Sequence, residues 1–278
     1  MPRTKKQVNK STPVVSNPPV AKSPKVLLWD IESSPNLAKI WGKYEQNSVG
    51  DFIQERMIIC VAWKWLGSSK VETMSLPEFY GYKKYVDKNY VRKIDNKKIL
   101  VKLHSLLTSA DVIVAQNGDN FDIKMANAEF IQYGLTPLPP FKSVDTLKVA
   151  RSKFAFNSNK LDDLGARLGL GRKIHTGGAS LWEGCLRGEK KAWDRMIEYN
   201  KQDVILLEKI YLKMRPWMTT HPNMNVFDMG QGCQSCKSTR IQSRGFGMSP
   251  LGTYRRYQCM SCGKWSKGAA QRTGLPLK

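Results

Sequence analysis

Histidine is scarce in this sequence, acid is missing from both ends, and no apolar run is long. The three histidines among 278 residues, His104, His175 and His221, stand far apart, so no Ser-His-Asp constellation is available for acyl transfer. His104 and His221 have no evident partners. His175, in a glycine-rich loop, is read as an ordinary loop histidine, with contact to phosphate as the sharper option. No apolar stretch approaches the roughly 20 residues of a membrane span. No N-terminal segment joins a charged start to an apolar block and a cleavage site. The expectation is a soluble cytoplasmic protein with no membrane partner.

The missing acid is informative in its own right. Residues 1–25 carry six Lys or Arg and residues 230–278 carry nine, with no Asp or Glu in either stretch. The formal net charge of +22, from 45 basic and 23 acidic side chains, is therefore concentrated at the two ends. Basic ends on a nearly balanced body suit a polyanion, nucleic acid above all. The bland alternative is charge that serves solubility alone.

Cysteine is present, though not as a disulfide framework. Four of the six form the pairs Cys233-Gln-Ser-Cys236 and Cys259-Met-Ser-Cys262, separated by 22 residues. Two such knuckles supply four thiolates to one structural Zn²⁺, which folds a segment too short to build a core. Cys60 and Cys185 stand alone and read as inert core thiols. Around the knuckles, Arg240, Arg244, Tyr254, Arg255, Arg256, Tyr257, Lys264, Trp265 and Lys267 interleave cations with aromatics. That pattern suits single-stranded nucleic acid, and Arg255, Arg256 and Trp265 are candidate contacts. Docking of a replication or repair protein is the alternative.

The chain in order predicts a flexible basic arm over 1–24, a main domain over 25–218, a zinc ribbon over 228–270 and a tail over 271–278. Lys25-Val-Leu-Leu-Trp-Asp30-Ile-Glu32 reads as a buried strand that ends in two carboxylates. Residues 33–55 read as a loop with a short helical turn. Met57–Leu66 and Val71–Leu76 read as paired strands around Gly67-Ser-Ser, and Phe79–Arg92 as a poorly patterned excursion. A helix over 95–109 starts behind a plausible Asp95 cap, Val112–Ala115 is a short buried strand, and a helix runs from about Asp122 to Tyr133. An extended linker over 135–140, a strand passing into a helix over 144–150, and a helix over 160–168 follow. Gly171–Gly178 is a basic, glycine-rich loop. The longest helical pattern runs from about Lys190 to Met214 and stops at Pro216. Strands that alternate with helices in this order predict an α/β fold with a mixed sheet flanked by helices.

The acids within this frame are candidates for a metal site. Alternate residues of a strand share a face, so Asp30 and Glu32 point the same way. Asp122 follows a buried strand at a helix start. Tyr199 and Asp203, four apart on the long helix, share a face. Hard carboxylate oxygens suit Mg²⁺ or Mn²⁺, and a pair of such ions serves phosphodiester hydrolysis. Taken singly, each acid is more often a cap or a solvated charge.

Asp30-Ile-Glu32, then Asn117 with Phe121-Asp122, then Tyr199-x-x-x-Asp203 together resemble the DEDDy 3′–5′ exonucleases, the DnaQ-like, proofreading-type branch of the ribonuclease H-like superfamily. The related DEDDh branch carries His five residues before the last acid, where this chain has Glu198. The likeness covers about residues 25–215, including Lys160–Lys173 (KLDDLGARLGLGRK), which is similar to a stretch of B-family polymerase exonuclease domains. The resemblance implies a ribonuclease H-like sheet and two divalent ions. Asp30, Glu32 and Asp203 would hold the ion that activates water. Asp30 would bridge to a second ion, supported through water by Asp122. Tyr199 would orient the water, and Asn117 and Phe121 would touch the terminal nucleotide. The implied activity is two-metal 3′–5′ hydrolysis of single strands, DNA favoured over RNA. A compact domain of this kind with a basic ribbon is similar to phage and bacterial proteins, and the expected compartment is then the host cytoplasm. The alternatives are a non-catalytic nucleic-acid-binding protein on the same fold and a structure-selective endonuclease.

Overall fold

The computed structural model describes residues 23–40, 51–226, 230–250 and 252–272. Most of the expected basic arm and residues 273–278 of the expected tail lie outside them. Strand β1 (Val26–Ser33) is the centre of the fold. After it come the short β2 (Leu37–Ala38) and β3 (Phe52–Gln54), which pair with each other, and then β4 (Ile58–Trp65) and β5 (Glu72–Ser75). Helices α1 (Leu76–Tyr80) and α2 (Lys97–Thr108), strand β6 (Val112–Ala115), helix α3 (Asp122–Gln132), strand β7 (Lys142–Asp145) and helix α4 (Thr146–Lys153) continue the chain. Helices α5 (Leu161–Arg167), α6 (Ala179–Leu186) and α7 (Lys190–Met214) complete the main body.

The sheet runs β5-β4-β1-β6-β7, with β1 antiparallel to β4 and parallel to β6, and β6 parallel to β7. Its central strands are apolar on both faces because both faces are covered. Leu27, Trp29 and Ile31 face a core that contains Ile99 and Leu103 of α2 and Met125 and Phe130 of α3. Val26 and Leu28 face a second core built with Val204, Leu207, Ile210 and Tyr211 of α7. Trp29 is fully buried, and truncation to Ala would cost about 3–5 kcal/mol.

Several elements differ from the sequence expectation. Residues 37–38 and 52–54 form a small ladder where a loop with a helical turn was expected, and residues 41–50 lie outside the described set. The cap of α2 is Asn96; Asp95 sits one place earlier and accepts from the Lys97 N–H at 3.0 Å. The supposed excursion is tied into the core. Tyr85 is fully buried, its ring edge-on to Trp193 at 5.8 Å, and Val86 bridges to Arg92. Helix α6 was not anticipated, because Gly177 and Gly178, both at positive φ, precede a short apolar run that carries no cap signal. Helix α7 passes into a single 3₁₀ turn at Arg215–Trp217 around Pro216.

The C-terminal segment forms its own antiparallel sheet from β8 (Ile241–Ser249), β9 (Gly252–Cys259) and β10 (Trp265–Arg272), in the order β10-β9-β8. Strand β10 runs two residues past the expected end of this unit. Lys264 Nζ donates to the Met218 carbonyl, which ties the small sheet to the end of α7. Among the described residues, no helix is long and apolar enough to cross a membrane.

Candidate active site and cysteine cluster

Strand β1 carries its carboxylates on a face that begins apolar. Val26 and Leu28 turn toward the α7 core, and the same alternation continues as Asp30 and Glu32. Directly across the ladder from Asp30 is Ala62, whose small side chain leaves room beside the carboxylate. Helix α7 brings up the other wall. Tyr199, Asn200 and Asp203 are all buried on its inner face. One carboxylate oxygen each from Asp30, Glu32 and Asp203 falls within 4.8 Å of the others. Asn200 Nδ2 donates to Asp30 Oδ2 at 2.7 Å, fixing one oxygen of that pair.

Lys173, from the glycine-rich loop, places its ammonium 2.6 Å from Asp203 Oδ2 and 4.7 Å from the centre of the Tyr199 ring. Burial alone would lower the Lys173 pKa, but the Asp203 charge and the hydrogen bonds that the ammonium donates to Asp203 and Tyr199 raise it on balance. The lysine is therefore a fixed positive charge. One lysine does not balance three carboxylates. Burial, then the charges of Asp122, Glu32 and Asp203, push Asp30 well above the ordinary range of a carboxylic acid. Burial and the neighbouring Asp203 hold Glu32 up at about 8. Asp203 is raised by burial, although Lys173 and the Tyr199 hydroxyl pull it back. Tyr199 is itself raised by burial and by Asp203, so its phenol stays protonated at neutral pH.

These features fit a hard divalent cation. Asp203 Oδ1 is buried and has no hydrogen-bond partner, an expensive arrangement unless a ligand completes it. Three oxygen donors, one of them orphaned, form the donor set that Mg²⁺ or Mn²⁺ prefers.

Asp122 stands slightly apart from the trio. It opens α3, is buried, and turns Oδ1 toward the backbone N–H of Ile31 at 3.3 Å, between Asp30 and Glu32 in sequence. Burial raises its pKa to about 7, opposed by its backbone hydrogen bonds. Three carboxylates thus converge, and Asp122 stands beside them with one oxygen on the strand backbone, a position compatible with the expected support of a second ion through water.

The loop before α3 is held by a residue that sequence reasoning passed over. Asp145, buried at the end of β7, accepts from the N–H groups of Asn117 at 3.0 Å, Leu147 at 2.9 Å, Lys148 at 3.3 Å and Asp119 at 3.4 Å. Asn117 takes a left-handed φ of 62°, and it lines a cleft of about 610 Å³ with Asp30, Arg151, Lys160 and Lys173. Phe121 lies under the Arg56 guanidinium, 5.0 Å from its ring centre. Phe121 itself lines a second cleft of about 530 Å³, with Arg56, Arg92 and Lys124 among the acids Glu55, Asp95 and Glu129. Asn117 and Phe121 thus each line a cleft that carries cationic side chains.

Sequence reading also missed Asn200 and Lys173. Asn200 shares a helix turn with Asp203, a signal that was available. Lys173 lies within the stretch already compared with polymerase exonuclease domains, but only the fold reveals its pairing with Asp203, 30 positions away. The histidines have local tasks. His175 Nδ1 accepts from the Gly177 N–H at 3.2 Å, His104 Nε2 bonds the Thr136 carbonyl, and His221, expected to have no partner, bonds the Tyr211 hydroxyl at 2.8 Å. Cys60 and Cys185 are fully buried.

At the other end of the chain, the sulfur atoms of Cys233, Cys236, Cys259 and Cys262 all lie within 4.8 Å of one another. Cys233 and Cys262 are 3.7 Å apart, as are Cys236 and Cys259. A tetrahedron with Zn–S bonds of about 2.3 Å has edges of about 3.8 Å, so the four sulfurs fit one zinc ion. Against burial, backbone hydrogen bonds and neighbouring thiols bring Cys259 down to about 7, while burial and the neighbouring thiols hold Cys236 and Cys262 up, as expected of crowded thiols.

The converging carboxylates thus lie where the carboxyl-terminal half of the central strand β1 meets helix α7, in a β5-β4-β1-β6-β7 mixed sheet flanked by helices, an arrangement of the ribonuclease H type. The family model of the RNase_H superfamily matches residues 68–215, more than half of the chain, and the chain belongs to that superfamily. The matched span contains Asp122, Tyr199 and Asp203, whereas the β1 carboxylates precede it. Among curated proteins, the chain is 38% identical over 68 residues to a DNA polymerase III PolC-type from Ureaplasma parvum serovar 3, covering 24% of this chain and 5% of that protein. Among solved structures, it is similar to the family B DNA polymerase of the hyperthermophilic archaeon Pyrobaculum calidifontis, at 14% identity and a TM-score of 0.47, covering 75% of this chain and 26% of that one. The chain thus spans a small part of each of these polymerases.

Proposed function

We propose that the protein is a metal-dependent 3′–5′ exonuclease that hydrolyses the terminal phosphodiester of single-stranded nucleic acid, DNA favoured over RNA. Membership of the RNase H superfamily and the likeness to a polymerase III protein support a nuclease; polarity and strand preference rest on the DEDDy-like order of motifs. The observation that carries the reading is the convergence of Asp30, Glu32 and Asp203 within 4.8 Å, with one buried Asp203 oxygen left without a partner.

In this reading Asp30, Glu32 and Asp203 would hold two Mg²⁺ or Mn²⁺ ions, and Asp122 would support the second through water. Bound there, the ions would supply an acidified water and offset charge on the leaving oxygen. The protein's own groups do the rest. Asn200 keeps Asp30 oriented. The Tyr199 hydroxyl, protonated at neutral pH, positions a water by hydrogen bonding and does not take its proton. Lys173 lends positive charge beside Asp203 and can meet a phosphate oxygen. Asn117 and Phe121 meet the terminal nucleotide, the ring as a stacking surface, and the basic cleft walls receive the backbone. The four cysteines hold one structural Zn²⁺, and their sheet serves strand binding in preference to protein docking.

Degradation of 5′-labelled single strands tests this, with a circular strand of the same sequence alongside. Stepwise shortening of the linear strand with Mg²⁺ or Mn²⁺, and an intact circle, is the expected result. Cutting of the circle at a comparable rate would replace the exonuclease with an endonuclease.

A further inference from the structure

The small C-terminal sheet divides its cations and aromatics between two faces, the longer row on one and Phe246, Arg255 and Tyr257 on the other. Residues directly opposite each other on paired strands share a face, and the register pairs Trp265 with Gln258, Lys267 with Arg256, and Gly247 with Tyr254. One face therefore carries Trp265, Lys267, Arg256 and Tyr254 in a row. The same register pairs Arg255 with Phe246, placing both on the opposite face, where the Arg255 guanidinium lies 5.0 Å from the Phe246 ring centre. Arg255 and Arg256, adjacent in sequence, thus belong to different surfaces.

The row is built and exposed. Tyr254 lies flat across Gly247, where a Cβ would stand 2.7 Å from its ring atoms, so only glycine lets the ring down onto the sheet. Lys267 Nζ sits 4.9 Å from the Tyr254 ring centre. Arg256 and Lys267 are exposed, and the Trp265 side chain is half exposed at 51%. An aromatic at each end with two cations between them, no acid anywhere in residues 230–278, and a strand spacing of roughly 6.6 Å per step on one face make a stacking platform with a phosphate track. A protein partner would call for an apolar centre with charge at the rim; here the charge is in the middle. We propose that this face, Trp265-Lys267-Arg256-Tyr254, is a second binding site for single-stranded polynucleotide, away from the carboxylates and independent of base sequence. The inference rests on the proposed exonuclease in taking a single strand as substrate, and it adds where the strand is held outside the cleft.

The test measures binding of 30-nucleotide oligo-dT and oligo-rU to the full zinc-loaded chain carrying Asp30→Ala, so that the strand is not consumed. Trp265→Ala is expected to weaken binding by roughly tenfold, the usual loss for one stacked base. The double change Arg256→Ala and Lys267→Ala is expected to lower the salt slope by about 1.4, two contacts at roughly 0.7 each. Arg255→Ala and Phe246→Ala, on the opposite face, are expected to change affinity less than about twofold. Zinc content of one per chain verifies that each variant keeps its sheet. This pattern with either oligonucleotide supports the platform, and the tighter of the two identifies the preferred sugar. Unchanged binding in Trp265→Ala, or a larger loss from the opposite face, overturns the proposal. Binding of neither oligonucleotide does so too. Hydrolysis of a trinucleotide is scored separately with Asp30 intact: its absence would refute the nuclease, while the binding pattern would still decide the platform.

Discussion

The protein gathers two sets of candidate metal ligands, and they are assembled in opposite ways. The carboxylates come from Asp30 on a central strand and Asp203 on a long helix, brought together only because both elements are packed into large cores. The cysteines come in two local knuckles joined by a two-strand excursion, and among the described residues neither hydrophobic core includes them. In the first case the fold pre-exists and forces like charges together at a cost. In the second the metal would itself supply folding energy. The difference teaches where stability and function oppose each other: gathering the acids costs stability that a bound cation would offset, whereas the cysteine segment would depend on a metal to fold at all.

The largest effect that would sharpen this contrast is on turnover. Asp30→Ala or Asp203→Ala should lower strand degradation by more than about a hundredfold, beyond the 10–100-fold typical of groups that only orient a ligand, while zinc content and the folding transition stay intact. The mirror experiment is Cys233→Ser with Cys236→Ser. It should release the zinc, seen by elemental analysis, and weaken binding of long strands, yet leave trinucleotide hydrolysis nearly unchanged. If that hydrolysis fell with the zinc, the two units would not be separable.

Intermediate effects probe what surrounds the acids. Asn200→Ala should cost about 10–100-fold in rate through a disordered Asp30, with excess Mn²⁺ recovering part of it. Tyr199→Phe should cost less than about a hundredfold, short of the loss expected for a true general base; a loss equal to that of Asp203→Ala would contradict the orienting role.

The smallest expected effect is on stability. Glu32 ordinarily titrates near 4.5 but is held at about 8 in the fold. Because the folded state binds this proton more tightly than the unfolded chain, the contribution is present at low pH and is lost as pH rises to about 8. Glu32→Gln should therefore raise the metal-free unfolding midpoint at pH 8 by about 2–4 °C, corresponding to roughly 1 kcal/mol, and by less at pH 6, as read by calorimetry. Divalent ions should close the gap from the wild-type side.

What the sequence reveals of all this depends on range. Asp30 and Glu32 are legible because an apolar strand runs straight into them, and Tyr199 with Asp203 because four-residue spacing marks one helix face. The alternation of strands and helices made the mixed sheet legible as well. Lys173 and Asp145 act through contacts across the fold, the Asp145 carboxylate accepting from the Asn117 N–H 28 positions away, and the helix turn that Asn200 shares with Asp203 marks its place but not its bond to Asp30. Asp122 is legible as a neighbour of the site because a helix start beside a strand places it there; that its Oδ1 accepts from the Ile31 N–H is a detail of packing. Helix α6 escaped notice because its start, at Gly178, carries no polar cap. The division of Arg255 from Arg256 follows from strand register, which spacing alone does not set.

The central claim is that the β1 and α7 carboxylates form a divalent-cation site distinct from the cysteine cluster. Mn²⁺ titration of the zinc-loaded protein, followed by electron paramagnetic resonance, measures it directly. The account predicts about two bound Mn²⁺ per chain, lost in Asp30→Asn and Asp203→Asn, with zinc unchanged. Mn²⁺ binding that survives both substitutions, or no binding at millimolar concentration, would contradict it.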